Sequence, residues 1–179
     1  MRKRNLLLAV TLAALCSMSA AAQETERAQL FGGYSYHRLT PNSGGGLNLN
    51  GWLAGGEFTV KGPFAIASEV TGNHGKDGGA NLRLYTVSAG PRFVHRAEKA
   101  RMFGHVLLGG ASLSASAAGI SDRRWSFATT VGGGVDLDVS RSLALRVFQA
   151  DYLMTRFGGN SQNNLRVSTG LVVRLGSAE

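Results

Sequence analysis

Read in steps of two, residues 163 to 175 (NNLRVSTGLVVRL) separate into two faces. Leu165, Val167, Thr169, Leu171, Val173 and Leu175 fall on one side, and Arg166, Ser168, Gly170, Val172 and Arg174 on the other. Successive side chains of a strand point to opposite faces, so the alternation predicts a strand with one apolar and one polar side. The stretch 127 to 139 (FATTVGGGVDLDV) alternates the same way. Phe127, Thr129, Val131, Gly133, Val135, Leu137 and Val139 share one face, and Ala128, Thr130, Gly132, Gly134, Asp136 and Asp138 share the other. The segment SLALRVFQADYLMT is less regular, because Arg146 and Asp151 differ in parity. Either a bulge intervenes, or Arg146 lies near a turn and reaches an interface.

Six further segments have the same β-branched, aromatic and small-residue composition, bounded by Gly, Asn, Ser or Pro clusters. The eight strands are placed at 28–38, 51–61, 64–73, 82–95, 102–115, 125–139, 143–155 and 164–175. Their connections alternate in length. LTPNSGGGLNLN, NHGKDGGAN, SAAGISDRR and RFGGNSQNN are long and glycine-rich, whereas GP, RAEKAR and SRS are short. Long and short connections therefore lie at opposite ends of an up-and-down antiparallel sheet, the asymmetry of outer-membrane barrels.

The first residues stand apart from this pattern. MRKRNLLLAVTLAALCSMSAAAQ has a basic start, an apolar run from Leu6 to Leu15 too short to span a bilayer, and small residues Ala20 and Ala22 before Gln23. This is the pattern of a cleavable signal peptide over 1–22, with a barrel domain over 23–179. Cys16 lies within the signal, so the mature chain is expected to hold no disulfide. The signal also carries three of the +8 formal charges, which leaves +5. That surplus is modest and the chain is exported, so nucleic acid is not an expected partner.

Alternation alone does not separate a membrane barrel from a soluble lipocalin-like one, since both have one polar and one apolar face. Three features favour the membrane. Lys61, Lys76 and Lys99 all fall in predicted turns or loops, leaving the strands without lysine. Tyr34, Tyr36, Trp52, Phe64, Phe93, Phe103, Trp125, Phe127 and Tyr152 lie near strand ends, where interfacial girdles form. The polar faces mix small residues with charges of both signs: Glu57, Glu69, Arg92, Asp136, Asp138, Asp151, Arg166 and Arg174. Eight strands enclose an interior just wide enough for side chains, so these eight residues are expected to form a lumen charge network, packed without an apolar core.

FGGYSY at 31–36, AGPRF at 89–93, FQADYLMTRF at 148–157 and the closing strand occur in an order that resembles the stand-alone eight-stranded barrels related to the transmembrane domain of outer membrane protein A. The resemblance spans the mature chain and implies an all-β, eight-stranded antiparallel up-and-down transmembrane β-barrel in the bacterial outer membrane. It also implies an assembly signal on the last strand, matched here by Thr169, Gly170, Val173 and Leu175, although this last strand ends in Leu175, with GSAE following, where the group carries an aromatic. The partners implied are outer-membrane lipid and lipopolysaccharide, the barrel-assembly machinery during biogenesis, and an extracellular partner held by the long loops. A structural or surface-interaction role follows; a narrow porin-like channel and a lipid-modifying hydrolase are the alternatives.

No motif adds catalytic, cofactor or metal chemistry. Gly132, Gly133 and Gly134 lack the Gly-Lys-Ser/Thr of a phosphate loop and read as close strand packing or a kink. Asp136 and Asp138 share a face, which suits a cation site or an acid–base pair, but pairing with lumen arginines is the simpler reading. His37, His74, His95 and His105 show no metal-ligand spacing and read mostly as solvated loop or turn residues. The lipid A deacylases carry a lipid-facing His-x-Ser element; here His105 is followed by Val106 and Leu107, so the element is missing.

Overall fold

The computed structural model describes residues 28–39, 46–77, 80–117, 120–157 and 160–175. The predicted signal segment 1–22 lies outside them. The strands are β1 (Ala28–Leu39), β2 (Leu47–Lys61), β3 (Phe64–Asp77), β4 (Ala80–Arg96), β5 (Ala100–Ala117), β6 (Ile120–Asp138), β7 (Leu143–Phe157) and β8 (Asn160–Leu175). Each is antiparallel to its neighbours in chain order, and β8 pairs back onto β1 from Ala28↔Leu175 to Arg38↔Leu165, which closes the barrel. Closure leaves no unpaired edge in the strand ladder.

The short connections lie where the sequence places them, at 62–63, 97–99 and 139–142. The first is a two-residue hairpin in which Gly62 takes φ 56°, a conformation a side chain disfavours, followed by Pro63 with its fixed φ. At the other end the expected long loops are largely strand. Only residues 78–79, 118–119 and 158–159 separate β3 from β4, β5 from β6 and β7 from β8. Glycine and polar residues read as turn punctuation in NHGKDGGAN and RFGGNSQNN, yet their backbones continue the ladder beyond the aromatic belt. Lys61 and Lys76 accordingly fall inside strands rather than in turns.

The barrel is apolar outside. Leu30, Ile66, Val87, Val106, Leu108, Val131, Leu171 and Val173 are all exposed, far more hydrocarbon than a soluble monomer presents to water. Around this band, Tyr34, Trp52, Tyr85, Trp125, Phe127 and Tyr152 are exposed toward the loop end, and Phe58, Phe64, Phe93 and Phe148 toward the turn end. Such girdles mark the two membrane–water interfaces. Phe64 and Phe93 meet edge to face, with ring centroids 5.7 Å apart. Phe103 departs from the expected girdle. It shares parity with Arg101 and His105, and its ring is buried in the lumen.

The parity conflict in β7 is resolved by a bulge. Pairing with β6 shifts between Val135 and Asp136, and pairing with β8 shifts between Arg146 and Gln149. Val147 and Phe148 are both exposed, so the extra residue lets Arg146 and Asp151 each face inward. Thr169 Oγ1 donates a hydrogen bond to the Arg146 carbonyl at 2.8 Å, at the irregularity.

These faces give a direct test. Val106→Arg sets a charge on the outer face well inside both girdles and is expected to cost about 2–4 kcal/mol. Ser168→Ala removes a lumen hydroxyl that makes no hydrogen bond, and is expected to be close to neutral. Urea titration of barrels refolded in lipid vesicles measures both; equal costs would overturn the assignment of faces.

Candidate functional site

The inward residues of all eight strands form a filled column, and the ladder register orders them from the turn end to the loop end. At the turn-end mouth Arg174 pairs with the partly exposed Asp138. Beside them lies a cavity of about 50 Å³ lined by Arg96, Ala97, Ala100, Arg101, Asp138 and Arg174. Next, Arg101 pairs with Glu57 and donates to Gln29 Oε1 at 2.8 Å. Arg146 binds both oxygens of Asp136, at 2.8 and 3.2 Å.

Two phenyl rings are built into this layer. The guanidinium carbon of Arg92 lies 4.3 Å from the Phe103 centroid and 5.3 Å from that of Phe31, and that of Arg146 lies 4.5 and 4.2 Å from the same rings. Two like charges thus share aromatic faces, whose quadrupoles attract both. Glycines make the room. A Cβ on Gly55 would sit 2.4 Å from the Phe31 ring, and one on Gly134 would sit 2.8 Å from that of Phe103. Gly132 gives the same clearance to Asp151, whose Oδ1 would lie 2.1 Å from a Cβ there. The glycine triplet is close packing, with a specific tenant opposite two of its members.

The centre is a continuous network. Glu69 accepts from Arg92 at 2.9 Å, Arg166 at 2.6 Å and Gln149 at 2.9 Å. Asp151 accepts from Arg166 at 2.6 Å and Gln149 at 2.8 Å. His105 joins the two halves, with Nδ1 2.9 Å from Arg92 Nη2 and Nε2 2.9 Å from Asp151 Oδ1. A guanidinium only donates, so Nδ1 is the acceptor and Nε2 carries the proton directed at Asp151. Glu69, His105 and Asp151 each offer one ligand atom within 4.8 Å of the others. A metal ion there would have to displace the arginines already bound to the carboxylates, so the chemistry of the donor set is ion pairing rather than coordination.

Of the eight residues expected in the lumen, Glu57, Glu69, Arg92, Asp136, Asp151 and Arg166 lie in these two layers, while Asp138 and Arg174 pair separately at the mouth. Sequence reasoning missed Arg101, assigned to the turn RAEKAR, and His105, read as solvated. For both, the signal available was parity opposite to Met102, Val106 and Leu108, the apolar face of β5. His37 is also buried, and neither of its ring nitrogens has a hydrogen-bond partner. The column does include apolar layers. Leu39, Leu49, Leu82, Leu84, Ala111, Ala128 and Leu153 cluster inside the loop end, against the expectation of a lumen without hydrocarbon.

Removing one member of a buried ion pair strands its partner, at a cost of about 3–5 kcal/mol. Glu69→Ala, which leaves Arg92 and Arg166 under-compensated, is expected to lose that much, and Arg92→Met added to it to restore part. Urea midpoints in vesicles decide this; an unchanged midpoint for Glu69→Ala would show that the network carries no stability.

No family model matches the sequence, and no curated protein does. Solved structures do. The crystal structure of Neisserial surface protein A superposes with a TM-score of 0.69 at 14% identity, covering 83% of this chain and 97% of that one. Ail, the attachment invasion locus protein of Yersinia pestis, gives 0.59 at 16% identity over 83% and 99%. The N-terminal β-barrel domain of Pseudomonas aeruginosa OprF gives 0.52 at 9% identity over 82% and 97%. Identities this low speak for the fold alone, and they meet a closed barrel with an apolar exterior, two aromatic girdles and a polar column inside: the chain has the fold of the small eight-stranded outer-membrane β-barrels.

Proposed function

We propose that this chain is a closed, rigid anchor in the outer membrane, with a structural or surface-interaction role, and that it passes no solute. The filled lumen carries the reading. An apolar plug, two layers of paired charge and two phenyl rings occupy the column, and the turn-end cavity of about 50 Å³ holds no more than a few waters. In this orientation the short connections face the periplasm and the extended β-ribbons project outside, where binding segments on rigid scaffolds usually lie. One solved structure of Ail is a complex with the heparin analogue sucrose octasulfate, which supports ligand binding as a use for this fold. His105, the histidine weighed for the lipid-facing His-x-Ser element of a lipid-modifying hydrolase, lacks that element and is held inside between Arg92 and Asp151.

The role of Thr169, Gly170, Val173 and Leu175 as an assembly signal belongs to the same proposal. Thr169, Val173 and Leu175 are exposed on the outer face of β8, and Gly170 faces Gly33 across the closing seam, where a Cβ would lie 2.2 Å from the Gly32 carbonyl oxygen. β8 supplies one side of the seam that closes the barrel onto β1, and its outer face is available to a protein that guides closure.

Purified barrel in planar bilayers is expected to show no steady conductance; a stable current whose ion selectivity changes with Asp138→Lys would favour the channel. Deleting residues 176–179 is expected to leave assembly intact, and deleting 173–179 to abolish it. The heat-modifiable, protease-resistant barrel recovered in outer-membrane fractions is the readout, and equal yields would remove the assembly role.

A further inference from the structure

The mouth of the column at the turn end is built mostly from hydrogen-bond donors. Arg96 closes β4 with the inward parity of Arg92 and Val94, and the ladder sets it directly opposite Arg101 of β5. Both line the cavity of about 50 Å³, together with Arg174 and Asp138. Like charges directly opposite on one face of a sheet are destabilising, so this pairing calls for negative charge beside the two guanidinium groups.

The carboxylates within reach of Arg101 and Arg174 are already engaged. Glu57 and Asp136 pair with the terminal nitrogens of Arg101, and Asp138 pairs with Arg174. Two buried donors are left over. Arg101 Nε has no hydrogen-bond partner. Neither does Nε2 of Gln29, whose Oε1 accepts from Arg101 Nη1 and whose ladder partner is Arg174. A buried donor without an acceptor carries the full desolvation penalty of its group.

Arg96 and Ala97 are exposed, so the cavity is reached from solvent. Lys61, Arg96, Lys99 and Arg141 are exposed at this end against Glu98 and Asp138, which makes the described turn-end surface net positive. A positive mouth with low-dielectric walls concentrates anions. The volume suits about three or four waters or one head group of similar size. Guanidinium groups present paired N–H donors at the spacing of carboxylate and phosphate oxygens.

We infer that this cavity is a binding site for a small oxyanion, a carboxylate or phosphate group, held by Arg96, Arg101 and Arg174. The site rests on the geometry of the mouth; only its periplasmic location rests on the orientation proposed above. Two sources can supply the group. One is an anion from outside the chain. The other is Glu24, Glu26 or Glu179, which stand within four residues of Ala28 and Leu175, the ladder pair at this end.

The test follows the Nε–H signal of Arg101 by NMR, assigned from its backbone, in the full mature barrel refolded in uncharged maltoside detergent. Heat-modifiable mobility confirms the fold of each variant. Inorganic phosphate is expected to shift this signal saturably, and chloride at the same ionic strength to leave it in place. Arg96→Gln is expected to weaken phosphate binding at least tenfold, and Arg96→Lys to restore part of it. Arg141→Gln removes the same charge from the turn end outside the cavity and is expected to change binding less than twofold. Deleting residues 176–179 and, separately, Glu24→Gln/Glu26→Gln distinguish the sources. A shift of the Arg101 signal on either change before phosphate is added supports the site and names the chain itself as the source; phosphate binding with no such shift supports it with an external anion. An equal response to chloride, no saturation by phosphate in any of these forms, or equal losses in Arg96→Gln and Arg141→Gln would overturn the inference. Because the readout is taken in detergent, those results would leave the membrane barrel and its orientation untouched.

Discussion

Closure of β8 onto β1 is the constraint on which everything else in this molecule depends. In hydrocarbon no water is available for backbone N–H and C=O groups, so a sheet can span a membrane only by pairing its last strand with its first. The ladder from Ala28↔Leu175 to Arg38↔Leu165 does this. At eight strands closure also fixes the bore, which admits side chains and little else. Each inward residue must consequently fit against residues from strands far away in sequence, as Glu69 does with Arg166 and Gln149.

That confinement explains the composition of the column. A guanidinium with no counter-charge in a closed lumen is costly, and here the buried arginines are held by carboxylates, by His105 and Gln149, and by the faces of Phe31 and Phe103. Glycines sit opposite the bulkiest tenants because the bore cannot widen. The bulge at Val147 and Phe148 serves the same end: without it one of Arg146 and Asp151 would face lipid. Inside the loop end leucines replace charges, so the column is sealed there by hydrocarbon.

The exterior answers to a different solvent at each height. The apolar band faces acyl chains, the Tyr and Trp girdle faces the headgroup boundary, and the β-ribbons beyond it carry Asn, Lys and Arg. One strand therefore passes through three environments on its outer face while its inner face meets only other strands.

The sequence by itself determined the strand count, the antiparallel order, the positions of the short turns and the faces of β6 and β8, because period-two alternation is a local property that each strand declares for itself. It also pointed to charges of both signs on the inner faces. It did not determine which charges meet, since partners such as Glu69 and Arg166 are 97 residues apart and are joined only by the register of a closed barrel. Arg101, His105 and Phe103 were misassigned for a related reason: near a strand end, composition suggests turn or girdle, and only the ladder fixes the direction of the side chain. The extension of β3–β8 into glycine-rich segments was likewise decided by neighbouring strands, which supply the hydrogen bonds that make a weak strand sequence a strand.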